Sequence, residues 1–105
     1  MTKIALYTTV EKTGPREFID RVLSACKKLG IACIADRRWE QVMVLFNYGL
    51  AVFYIEKYLR NEEPYLDITI VPIGTKSVLS TLIIDILKLL KEMNMDEESL
   101  GFMVQ

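Results

Sequence analysis

The chain contains no histidine. That absence removes Ser-His-Asp and Cys-His nucleophilic machinery and every histidine-bearing metal site. Cysteine is scarce as well. Cys26 and Cys33 lie outside the C-x-x-C spacing of redox motifs. Two thiols without a histidine leave a metal short of ligands. Both fall on apolar positions, so buried free thiols are expected; a helix-to-strand disulfide is the alternative in a protein of a hyperthermophile. Side-chain amides are few: Asn47, Asn61, Asn94, Gln41 and Gln105. Few amides, no histidine and short loops match the composition of thermophile proteins.

Charge of one sign is also lacking. With 13 basic and 14 acidic residues the net charge is −1, which gives no general attraction to nucleic acid or membrane surfaces. Long hydrophobic runs are missing. The longest apolar-rich stretch, Val42 to Ile55, contains Asn47 and falls short of the roughly 20 apolar residues that span a bilayer. The opening "MTKIALYTTV" has too short an apolar stretch for a secretory leader and no small-residue cleavage site. A cytoplasmic protein without a membrane partner is expected.

What is present suits one globular domain over residues 1–105, with 51% hydrophobic and 26% charged residues. No repeat or linker interrupts it. Residues 3–9 alternate Ile4 and Leu6 against Ala5 and Tyr7, a strand pattern. Pro15 suits the first turn of a helix. Phe18, Ile19, Val22, Leu23, Cys26 and Leu29 continue it at helical spacing, and Gly30 follows as a left-handed cap. "IACIA", 31–35, has the form of a buried strand.

Two readings of residues 37–61 compete. A helical wheel gathers Trp39, Val42, Met43, Phe46, Leu50 and Phe53 on one side, which favours one long helix capped by Asp36. Against it, "QVMVLF" and "LAVFYI" are β-rich and are split by Asn47-Tyr48-Gly49, a hairpin signal. Pro64 then breaks the chain. "LDITIVPI", 66–73, is the strongest strand, 77–93 the strongest helix, and "GFMVQ", 101–105, a closing edge strand. With the helical reading the order is β-α-β-α-β-α-β. The expected fold is α/β, a mostly parallel sheet with helices on both faces. If 41–58 is a hairpin, the alternative is an α+β, ferredoxin-like fold. In parallel sheets ligands bind beyond the carboxyl ends of strands. The loops 8–15, 36–38 and 72–77 would then converge.

The sharpest chemistry lies in Gly74-Thr75-Lys76-Ser77, between a strand and a helix. A helix N-terminus offers unpaired N–H groups and a positive dipole end. Glycine lets an anion approach, Lys76 adds charge, and Ser77 either donates to a phosphate or caps the helix. The first glycine of a phosphate-binding P-loop is missing, and Thr75 intrudes before Lys76. The string "TIVPIGTKSVLS" resembles the opening of a small ferredoxin-like family that binds thiamine-type ligands. There, a strand ending in Pro-Ile-Gly-Thr precedes a Ser-containing helix. The resemblance lies within residues 67–94, and "ALYTTVEK" resembles that family's closing strand. It implies a local strand-to-helix unit.

Lys12 and Gly14, in "TTVEKTGP", offer a second anion contact. Arg37 and Arg38 add bidentate donors, and Trp39 a stacking surface. With those three residues an RNA-binding module is a third reading, although the chain lacks a basic stripe and nucleic acid is not the expected partner. Tyr54 and Tyr58 fit a contact between subunits. Glu62, Glu63 and Asp96 to Glu98 lie in polar breaks as solvated charge and form no acid/base pair. The expectation is a non-catalytic module, without cofactor or metal. It would bind a small phosphate-bearing ligand through Lys12, Gly14, Gly74, Thr75, Lys76 and Ser77, with Arg37 and Arg38. The alternative is a homo-oligomeric assembly protein without a small-molecule site.

Overall fold

The computed structural model describes residues 3–36, 38 and 40–104. Strand β1 (Ile4–Glu11) leads into helix α1 (Pro15–Leu29). Four strands follow without an intervening helix: β2 (Ala32–Asp36), β3 (Gln41–Phe46), β4 (Gly49–Arg60) and β5 (Glu63–Gly74). A 3-10 turn, Lys76–Val78, opens helix α2 (Leu79–Glu92). A second such turn, Glu97–Ser99, precedes β6 (Gly101–Val104).

All six strands join one sheet in the order β2-β3-β4-β5-β1-β6. Every pairing is antiparallel. The fold is therefore α+β. The parallel β-α-β-α-β-α-β plan with helices on both faces is overturned, because 37–61 is not a helix. Nor is this the β-α-β-β-α-β order of a ferredoxin-like fold, since four strands separate the helices.

Burial explains the choice. Val42 and Val44 are buried while Met43 and Leu45 are exposed, so β3 has a period of two. A two-residue turn, Asn47-Tyr48, joins Phe46 to its partner Gly49. Asp36 caps no helix; its carboxylate accepts from the Arg38 backbone N–H at 3.1 Å. Pro64 does not end a helix either. It lies in β5 beside Leu59, after a turn through Asn61 and Glu62.

Both helices cover the same face. Phe18, Ile19, Val22 and Cys26 of α1 and Ile86, Leu89 and Leu90 of α2 are buried in one cluster with Leu6, Val44, Phe53, Ile68 and Ile70. The sheet members of that cluster share one parity, so a single face is covered. Gly30 ends α1 at φ 68°, in the left-handed conformation expected of it, and its N–H returns to the carbonyls of Cys26 and Lys27.

Candidate functional site

The antiparallel sheet separates the residues expected to hold an anion. The backbone N–H of Lys12 donates to the carbonyl of Pro64 at 2.8 Å, at the start of β5. Gly74 ends the same strand ten residues later, about 33 Å away at roughly 3.3 Å per residue. Lys12 and Gly14 therefore stand at one end of the sheet, and Gly74, Thr75, Lys76 and Ser77 at the other. The turn that holds Arg38 sits on a third side, beside β4, where Ile55 donates its N–H to the Glu40 carbonyl at 3.0 Å. Arg37 and Trp39 lie outside the described residues.

The Lys12 loop is a tight connection. Lys12 takes a left-handed φ of 54°, and the buried Thr13 hydroxyl donates to the Glu11 carbonyl at 2.9 Å. Gly14 has an extended backbone, with open space where a Cβ would point. Neither its conformation nor its surroundings require glycine.

Gly74 has a packing reason. It is the cross-strand partner of Gly49. A Cβ on Gly74 would meet Leu82 Cδ1 at 2.7 Å, and one on Gly49 would meet the Ile73 carbonyl oxygen at 2.5 Å and Leu82 Cδ1 at 3.0 Å. The pair lets the first turn of α2 settle onto the sheet. Ser77 does not cap α2; its hydroxyl and that of Thr75 are 3.1 Å apart. A cleft of about 700 Å³ remains at this corner, with Lys3, Gly74, Thr75 and Lys76 in its wall.

Cys26 and Cys33 are free. Their thiols share a hydrogen bond. That bond, then burial, holds the Cys26 thiol far above its ordinary range. The same bond lowers Cys33.

The largest feature is the sheet face that, among the described residues, no helix covers. One row crosses it through Ile34, Met43, Val52 and Val71 by direct cross-strand pairing, and continues through Ala5 to Met103. It meets all six strands without a polar residue. A second row runs Asp36, Gln41, Tyr54, Thr69, Tyr7, Gly101, with its charge on the edge strand. A third runs Ala32, Leu45, Leu50, Ile73. Ile34 is 60% exposed, Ile73 49% and Tyr7 47%. Val52, at the centre, is 7% exposed, shielded by its neighbours on the face. The charged groups sit at the margins. Glu56 and Asp67 are directly opposed at one end, with Thr9 donating to Asp67 at 3.0 Å. Lys3 stands at the other, in register with Ile73 by extension of the β1–β5 ladder.

Of the residues in these rows the sequence marks only Tyr54 as a contact between subunits; Tyr58 lies further along the same face of β4, stacked on Tyr65 with ring centroids 5.7 Å apart. A signal for the rest existed. A sheet with one wet face shows alternation, whereas strands buried on both faces read as continuous apolar runs. "LAVFYI" in β4 and "ITIVPI" in β5 are such runs.

No family model matches the chain, and no curated protein matches it. Among solved structures it is similar to "De novo designed protein Foldit4", at 17% identity over 99% of this chain and 92% of that one, with a TM-score of 0.42.

Proposed function

We propose that the chain is a non-catalytic interaction module whose working surface is the open sheet face, and that its partner is a protein. The observation that carries this reading is the uninterrupted apolar row from Ile34 to Met103. Apolar patches beyond a few hundred Å² are uncommon on proteins that act alone and mark association sites. The tyrosines at its border, Tyr7 and Tyr54, belong to the residue types enriched in interfaces. The test is co-purification of tagged wild type and of Met43→Lys from cells of the source. Associations present with wild type should be lost with the variant. A variant that keeps every association ends this reading.

A second reading retains the small anionic ligand, confined to the Gly74 corner. It is favoured by the cleft that brings Lys3 beside Lys76. Phosphate or a nucleotide should then raise the melting temperature of wild type, by linkage to the folded state, and not that of Lys76→Ala. Equal responses of the two proteins remove it.

A further inference from the structure

We propose that the open sheet face is covered by a second copy of this chain, turned end for end about a twofold axis that lies between the sheets and crosses the strands at right angles. This rests on the docking reading above and names its partner.

Charge is the first argument. Glu56 and Asp67 are opposed across β4 and β5, a like-charge pairing that is unfavourable on a sheet. Among the described residues no lysine or arginine forms an ion pair with either. Beyond that pair the same face carries Glu11, Glu63 and a single base, Arg60 opposite Glu63, so this end stays acidic, and Lys3 stands at the other end. Lys3 lies one step before β1, in register with Ile73 by extension of the Leu6–Ile70 ladder. Acid at one end and base at the other make the face complementary to itself only when the second copy is reversed. Lys3 of each copy then lies over the Glu56–Asp67 end of the other.

The apolar rows obey the same operation. On β5 the midpoint between Asp67 and Ile73 is Ile70, and on β4 the midpoint between Glu56 and Leu50 is Phe53. A twofold axis at that level stacks the Tyr54 row of one copy on the Val52 row of the other. A twofold interface uses the same patch twice, which is what such a match requires. Two right-twisted sheets packed face to face hold their strands within about 30° of alignment, so the reversed copy runs nearly antiparallel to the first.

Area is the second argument. Six strands at about 4.8 Å span about 24 Å, and the six residue steps from Asp67 to Ile73 span about 20 Å. That is a footprint on the order of 500 Å² in projection. Side-chain relief raises the accessible area above the projection, towards the roughly 800 Å² per partner of a standard interface.

Sedimentation equilibrium on the full chain tests this. Wild type should be a dimer. Met43→Lys and Tyr54→Lys should be monomers with unchanged far-ultraviolet circular dichroism. The orientation is read from charge reversal: Glu56→Lys and Lys3→Glu should each weaken the dimer about tenfold, and the combined variant should recover to within about threefold of wild type. A wild type that stays monomeric at about 100 µM overturns the second copy. If that monomer still loses a different protein on Met43→Lys, the docking reading stands without it. A dimer that survives both Met43→Lys and Tyr54→Lys sinks both. A dimer whose double reversal is weaker than either single variant overturns the reversed orientation.

Discussion

A methyl group at Gly49 has no room. Its Cβ would stand 2.5 Å from the Ile73 carbonyl oxygen, and that oxygen belongs to a strand backbone that cannot turn aside. The nearest obstacle at Gly74 is Leu82 Cδ1, the end of a flexible side chain. Gly49→Ala should therefore lose about 1–3 kcal/mol of stability, more than Gly74→Ala, while Gly14→Ala should be close to neutral. Urea denaturation of the three variants, compared by midpoint at constant slope, checks the ranking. The residue chosen in the sequence for its approach to a phosphate thus has a mechanical role. Glycine before a helix looks the same in sequence whether an anion or a leucine lies against it, and only the contact with Leu82 separates the two.

Among the elements, the turns carry the exposed conformational cost. Arg60 pairs with Glu63, so β4 and β5 are joined by Asn61 and Glu62 alone, at φ 52° and 65°. Two consecutive left-handed residues are the mark of a type I′ hairpin turn, whose second position favours glycine. Glutamate there carries a strain that glycine lacks. Glu62→Gly should raise stability by about 0.5–1 kcal/mol, the gain being reduced by the greater freedom of glycine in the unfolded chain. Thermal unfolding measures it. β1, α1, β2, β5, α2 and β6 are all legible in the sequence as elements, but β2, expected to be a buried strand, is an edge strand with Ile34 exposed, because the apolar run carries no mark of its place in the sheet. The stretch 37–61 is not legible. Its apolar residues satisfy a helical stripe and, since β4 is apolar on both faces, give little alternation to contradict it. Val42 and Val44 against Met43 and Leu45 held the discriminating pattern, and it is only six residues long.

At the scale of the whole molecule the sheet has, among the described residues, one face under two helices and one face uncovered. β1 is inserted between β5 and β6, which joins the two ends of the chain to the middle. The Cα radius of gyration, 13.3 Å, is near the roughly 13 Å of a compact domain of about this length. If the second copy covers the open face, stability depends on protein concentration through mass action. The melting temperature of wild type should climb by a few degrees between micromolar and hundred-micromolar protein, and that of Met43→Lys should not. Differential scanning calorimetry across that range distinguishes the two. At this scale the candidate site was barely legible. Tyr54 was visible as an interface residue, but Ile34, Met43, Val52, Val71 and Met103 come from five strands and share a row only through register.

By itself the sequence determined what each segment is inclined to be. The absence of histidine excluded whole classes of chemistry, β-branched runs made strands, and Pro15 and Gly30 bounded the first helix. Those are local properties, set by backbone sterics and side-chain spacing within a few residues. Only the tertiary structure decided which strands pair, in which direction, and therefore which loops are neighbours. Strand pairing joins residues far apart in sequence, such as Tyr7 and Thr69, and depends on register, where a shift of one residue exchanges the two faces. That register parted Lys12 from Lys76 and assembled an apolar face from residues that have no common mark along the chain.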